Sequence, residues 1–213
     1  MEVVCLDFEG VLVPEIWIEV AERTGINALR ATTRDIPDYD QLMGQRLRIV
    51  ADNGLGLGDI QAVINDMGPM DGAAAFLSEL RQTAQVVVLS DTFYEFAEPL
   101  VRQLDWPTLF CHRLVIDEDG EAGDAITGYK LRMEDHKREA VRVFKELRFR
   151  VTAAGDSYND ISMLSEADKG ILFRSPDNVK SEFPQFPSCE SYDDLLAAIR
   201  SSPFMSSRPK ERK

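Results

Sequence analysis

Four short apolar runs, residues 3–8, 86–89, 151–154 and 170–173, give way to polar or acidic residues, and helical patterns lie between them at 72–81, 93–104, 137–147 and 161–166. The runs lack apolar–polar alternation, so they read as strands buried on both faces. Strands that alternate with helices specify a parallel sheet covered on both sides. The fold class expected is therefore α/β, a Rossmann-like doubly wound parallel sheet.

Two stretches interrupt that order. From Pro14 to Met70 there are helical spacings at 16–21, 42–50 and, more weakly, 57–67, but no further buried strand. This reads as an inserted helical cap over 14–70, leaving 1–13 and 71–202 as the core. The second interruption is a hairpin signal, 112–116 and 126–131, around an acidic turn at Asp117 that carries an Asp-Gly dipeptide. Ser175-Pro176 reads as an N-cap followed by proline at the first helical position, and Ser191 with Asp194 reads as the opening of a last helix. Residues 203–213 are polar and aperiodic, and are expected to be a disordered tail.

Composition narrows the partners. Of 213 residues, 44% are hydrophobic and 29% charged, which excludes wholesale disorder. Twenty-four Lys and Arg against 37 Asp and Glu leave a net charge of −13, which repels nucleic acid and anionic membranes. No apolar stretch is long enough to span a bilayer, and no basic leader precedes the first strand. Three cysteines without paired spacing, Cys5, Cys111 and Cys189, point to a reducing compartment and a cytoplasmic location.

Ligands of open α/β sheets bind at the carboxyl ends of the strands. The residues there are Asp7 and Glu9, Ser90 and Asp91, and Asp156 with Asn159 and Asp160. Carboxylates from distant segments thus meet in one crevice, where their repulsion favours a hard dication with oxygen ligands, Mg2+ above all. The spacing after Asp156 does not fit a calcium loop, and no Cys/His cluster for zinc is visible. Singly, each piece has an ordinary reading: a turn, a helix cap, a surface lysine at Lys137. In order, as acid pair, hydroxyl, lysine and second acid cluster, they specify more.

That order resembles the four motifs of haloacid dehalogenase-like phosphohydrolases, with Asp7-Phe-Glu9-Gly10 first, Ser90 second, Lys137 third and Gly155-Asp156-Ser-Tyr-Asn159-Asp160 fourth. The position and length of the cap are similar to the phosphoserine phosphatase branch. Within it, the Asp-x-Glu-Gly opening resembles a bifunctional subgroup that also transfers phosphate to homoserine. The resemblance implies Asp7 as nucleophile and Glu9 as general acid/base. It implies a metal held by Asp7, the Glu9 carbonyl and Asp156, with Asp160 behind them. By the same resemblance Ser90 and Lys137 would contact the phosphoryl group, and Glu15 and Arg46 would hold the amino and carboxylate ends of phosphoserine, with Arg48 as an equally placed alternative to Arg46. Asp91 and Asn159 would help bind substrate. Glu9 stands where most of the branch has aspartate, and Asp91 where it has glycine. A homodimer, and a place in serine and threonine biosynthesis, are also implied.

Two other readings compete. One is a phosphatase for a different small phosphomonoester, distinguished only by cap residues. The other is a phospho-accepting receiver module, which needs only ~120 residues in a single domain and has no helical insertion.

Overall fold

The computed structural model describes residues 1–201 except 33, 34, 37, 118 and 120–122, so the expected tail at 203–213 and part of the acidic turn after Asp117 lie outside the described residues. A seven-stranded sheet has the order β4-β3-β2-β1-β5-β6-β7, formed by β1 (Glu2–Leu6), β2 (Gln85–Phe93), β3 (Thr108–Asp117), β4 (Ala125–Lys130), β5 (Arg150–Gly155), β6 (Lys169–Phe173) and β7 (Ser188–Cys189). All pairings are parallel except β3 with β4.

Alternate residues of the central strand feed two separate cores, which is the physical reason its sequence is apolar throughout. Val4 and Leu6 join one core with α4 (Ala73–Arg81), α5 (Tyr94–Gln103) and α9 (Tyr192–Arg200). Val3 and Cys5 join the other, with α6 (His136–Glu146), α7 (Ile161–Glu166) and α8 (Asp177–Glu182). Between β1 and α4 lie α1 (Ile16–Thr24), a 3-10 turn (Asn27–Arg30), α2 (Tyr39–Asp52) and α3 (Leu57–Asn65). Their buried faces, among them Ile16, Val20, Met43 and Ile60, continue the first core.

Several local expectations change. The hairpin at 112–131 is not separate from the sheet: the first half of β3 pairs parallel with β2 and its second half antiparallel with β4. Its opening half holds only three consecutive apolar residues, 109–111, between Thr108 and His112, too few to mark a strand in the sequence. Strand β7 is only two residues long, too short to carry a pattern. At α8 the N-cap is Pro176, one position later than expected, and the buried Ser175 hydroxyl caps nothing among the described residues. Ser191 does cap α9, accepting the Asp194 N–H at 3.1 Å. The three cysteines are unpaired and buried. No described helix is long and apolar enough to cross a membrane.

The strand order reverses direction at β1, whose neighbours are β2 on one side and β5 on the other. A crevice opens beyond the carboxyl ends of strands at such a point. Asp7 and Asp156 are the first residues past β1 and β5.

Candidate active site

Asp7 prolongs β1 by one bond, donating its N–H to Ala154 O at 2.9 Å. The chain then doubles back, with Leu12 and Val13 both donating to the Phe8 carbonyl. This tight return needs glycine: Gly10 has φ +75°, and a Cβ there would lie 2.5 Å from the Asp156 carboxyl carbon. The loop is thereby pressed against the second acid cluster.

Strand β2 runs four residues beyond the expected end at Leu89, but its pairing with β3 slips, so that Leu89 faces Phe110 and Phe93 faces His112. Three residues oppose one across that slip. A bulge of this kind re-aims side chains, and here it delivers Ser90 and Asp91 to the crevice. Ser90, expected from its position alone to be a helix cap, is buried within the strand and its Oγ accepts the Thr92 N–H at 3.2 Å.

After β5 the turn is capped by Ser157 and Asp160 rather than by Asp156. Asp160 is fully buried, its Oδ2 accepting the N–H of Asp156 at 2.9 Å and of Ser157 at 3.2 Å. Gly155 makes room for this, since a Cβ there would come within 2.4 Å of the Asp160 carboxyl group.

Lys137 joins the three strand ends. It sits in the first turn of α6, where the helix dipole disfavours a cation. Carboxylates overcome that: its Nζ lies 2.8 Å from Asp160 Oδ1, 3.0 Å from Asp7 Oδ1 and 3.3 Å from Asp91 Oδ2. Burial alone would lower the ammonium pKa, but Asp160, Asp7 and Asp91 hold it well above its usual range. Asp7 Oδ1 also accepts the Phe8 N–H at 2.7 Å, and among the described residues no protein donor reaches Oδ2. One oxygen is fixed and the other is left for chemistry.

Burial, then the charge of Asp160, pushes the Asp7 carboxyl well above its ordinary value despite Lys137, and Asp156 and Asp91 add to it. Such crowding is what an oxygen-ligated dication relieves. Oxygen atoms of Asp7, Asp156 and Asp160 lie within 4.8 Å of one another. Asp160 is already committed to Lys137 and two backbone amides. The all-carboxylate donor set suits a hard cation such as Mg2+ rather than zinc.

Above this floor, Glu9 faces the helices that follow β1. Its Oε2 accepts the N–H of Ile16, the first residue of α1, at 3.0 Å. Burial, then the neighbouring charge of Glu15, raises its pKa to about 8. Hydrogen bonds from Ile16 N–H and Thr92 and the charge of Arg46 limit the rise. Burial thus favours the protonated form of Glu9 in the metal-free site.

Of the two candidate arginines, Arg46 is buried and Arg48 exposed. The Arg46 guanidinium lies 4.9 Å from the Trp17 ring and donates from one terminal nitrogen to Ala31 O at 2.8 Å, while its buried Nε has no hydrogen-bond partner among the described residues. Glu15 is the N-cap residue of α1 but makes no capping hydrogen bond. Asn159 donates to Asp91 Oδ2 at 2.8 Å and is clasped from behind by Ser157 Oγ.

Four participants went unread in the sequence. His112 and His136 both point Nε2 at Asp91 Oδ1, at 3.6 and 3.1 Å. Tyr39, from α2, donates its hydroxyl to Asp91 O at 3.0 Å, and Thr92 hydrogen-bonds Glu9. These are the only two histidines in the chain. Their adjacency to a strand end and to Lys137 was the available signal.

Comparison with known proteins agrees with this geometry. Residues 1–168 match the family model of haloacid dehalogenase-like hydrolases. The chain is 62% identical over 195 residues to phosphoserine phosphatase ThrH of Pseudomonas aeruginosa, covering 92% of this chain and 93% of that one. It is 61% identical over 195 residues to a phosphoserine phosphatase of Pseudomonas syringae pv. tomato, covering 92% and 81%. In fold it is similar to the phosphoserine phosphatase of T. onnurineus, with a TM-score of 0.70 at 23% identity and 94% of each chain covered.

Proposed function

The chain belongs to the haloacid dehalogenase-like hydrolases, and from that premise we propose that it is a phosphoserine phosphatase that works through an aspartyl-phosphate and also passes the phosphoryl group to homoserine. The observation that carries this reading is the contact of the buried Lys137 ammonium with Asp7, Asp91 and Asp160, which joins three distant strand ends around one free carboxylate oxygen. The names of the two Pseudomonas relatives support the substrate.

Asp7 Oδ2 attacks phosphorus, the bond from phosphorus to the seryl oxygen breaks, and Glu9 gives that oxygen its proton. Ser90 and Lys137 meet the charge on the phosphoryl oxygens, with Lys137 oriented by carboxylates so that no reorganisation is needed during transfer. In the second half, water or the homoserine hydroxyl attacks phosphorus, Glu9 takes the proton from the acceptor, and the bond to Asp7 breaks. Asp7, the Glu9 carbonyl and Asp156 would hold Mg2+, with Asp160 orienting them. Bound there, the ion supplies Lewis-acid stabilisation of the phosphoryl oxygens.

The cap helices, residues 14–70 in this reading, supply the recognition of the amino acid. Arg46, with an unsatisfied buried Nε, receives the substrate carboxylate, and Glu15 its ammonium group. A receiver module is disfavoured by these helices, which have no counterpart in a single small domain of that kind.

The test is incubation with O-phospho-L-serine and Mg2+, with and without homoserine, measuring inorganic phosphate and phosphohomoserine together. Phosphohomoserine formed at the expense of phosphate supports both activities, and phosphate alone limits the enzyme to hydrolysis. Neither product, together with turnover of another small phosphomonoester, would replace phosphoserine as the substrate.

A further inference from the structure

We propose that His112 and His136 are positioning residues for phosphoryl transfer, acting through Asp91 to hold Lys137 and Asn159 against the reacting phosphate. The inference rests on the phosphotransfer reading of the Asp7 site, though not on phosphoserine as its substrate.

Asp91 is crowded with donors. Oδ1 faces the Nε2 atoms of His136 at 3.1 Å and His112 at 3.6 Å, while Oδ2 accepts from Asn159 at 2.8 Å and lies 3.3 Å from Lys137 Nζ. A carboxylate that meets donors on both oxygens cannot rotate without breaking several contacts at once. The side of Asp91 that faces the site is thus fixed by the side that faces the histidines. Lys137 has two other carboxylate partners, Asp7 and Asp160. The pull of Asp91 sets where between them the ammonium rests.

Two histidines and a carboxylate in one cluster also match the ligand set of a transition-metal site. The hydrogen bonds argue otherwise. His112 Nδ1 accepts the Arg132 N–H at 3.1 Å, so its proton is on Nε2, which faces Asp91. A ligating histidine has the opposite arrangement, donating from the far nitrogen and keeping the near one bare. A fixed ammonium 3.3 Å from the same carboxylate further disfavours a cation there. His136 is 3% exposed, and its buried Nδ1 has no hydrogen-bond partner. Burial lowers its pKa despite Asp91, and with Nε2 3.1 Å from Asp91 Oδ1 it too turns an N–H to that carboxylate. His136 donates to Asp91, and His112 presents a further N–H to the same oxygen from 3.6 Å, so the two rings together keep Asp91 ionised and oriented.

The experiment measures kcat and KM for 4-nitrophenyl phosphate with Mg2+ in the parent, His136→Leu, His136→Gln, Asp91→Asn and the Asp91→Asn/His136→Leu double variant, with thermal midpoints for each. Glutamine places an N–H where His136 Nε2 stood, and leucine removes it at similar volume. The expected result is a fall of about tenfold in kcat for His136→Leu with KM changed by less than about twofold. Glutamine should restore most of it, and the double variant should be no slower than Asp91→Asn alone. Unchanged kcat in His136→Leu, failure of glutamine to rescue a folded variant, or additive losses would each overturn the inference. If His136→Leu does not fold, His136→Asn replaces it, since its shorter amide cannot reach Asp91; equal rates for the asparagine and glutamine variants would then overturn the inference. A parent that turns over 4-nitrophenyl phosphate but not phosphoserine would sink only the substrate assignment. A parent inert to both would overturn the inference as well.

Discussion

Glu9 Oε2 accepts the backbone N–H of Ile16 at 3.0 Å, so the carboxyl group proposed to move protons also ties down the first turn of α1. The contact couples the chemistry at the end of β1 to the helix that begins nine residues after Asp7.

Replacing Glu9 by Gln keeps the Ile16 contact and removes the transferable proton. Turnover of phosphoserine, whose alkoxide leaves poorly, should fall roughly 10²–10⁴-fold. In single turnovers, release of 4-nitrophenol from 4-nitrophenyl phosphate, whose leaving group needs no proton, should be slowed far less than release of serine. Equal losses in that first half-reaction would remove Glu9 from the acid role.

The same residue sets a pH dependence of stability in the metal-free protein. Its folded pKa is raised from 4.5 to about 8, so between these values the folded state binds a proton that the unfolded state has lost. Stability contributed by this group is therefore present in full at low pH and declines as pH rises through that window. With a chelator present, the urea midpoint of the parent should drop more between about pH 5 and about pH 9 than that of Glu9→Gln. Parallel profiles would show that Glu9 does not titrate in this range.

Gly10→Ala should damage the metal site selectively. The new methyl group would fall 2.5 Å from the Asp156 carboxyl carbon at φ +75°, a backbone region that costs an L-residue roughly 1–2 kcal/mol. Titrating Mg2+ against rate should show a markedly higher half-saturating concentration than in the parent. An unaltered Mg2+ titration would mean that the loop yields without moving Asp156.

Arg46→Lys should separate recognition from chemistry. Losing one charge-assisted hydrogen bond to the substrate carboxylate is worth about 1.5–3 kcal/mol, or roughly 10–100-fold in KM for phosphoserine. The KM for 4-nitrophenyl phosphate should hardly change, and Arg48→Lys, at an exposed position, should be silent on both. If Arg48→Lys raises the KM instead, the carboxylate sits elsewhere.

The sheet was legible because burial on two faces leaves a direct mark on the sequence: Val3, Val4, Cys5 and Leu6 are apolar in succession since alternate side chains enter opposite cores. The helices after β1 were legible for the complementary reason, one-sided burial at helical spacing, as with Ile16, Val20 and Met43. Asp7, Ser90, Asp156 and Lys137 were marked by chemical type and by their order along the chain. Edge features were not. Two-residue β7 holds too few side chains for a period, and the first half of β3 offers an apolar run of only three residues, 109–111.

The sequence by itself determined the α/β class, the helices that follow β1 and which carboxylates stand just past the strand ends, because these depend on residue type and local periodicity. Only the tertiary structure buried Arg46 while leaving Arg48 exposed, raised the Glu9 pKa through burial and Glu15, and turned Asp91 toward His112 and His136. Each of those outcomes depends on how separate segments approach in space and how far water is excluded between them. Charge interactions and desolvation act over ångströms and carry no signature in sequence separation.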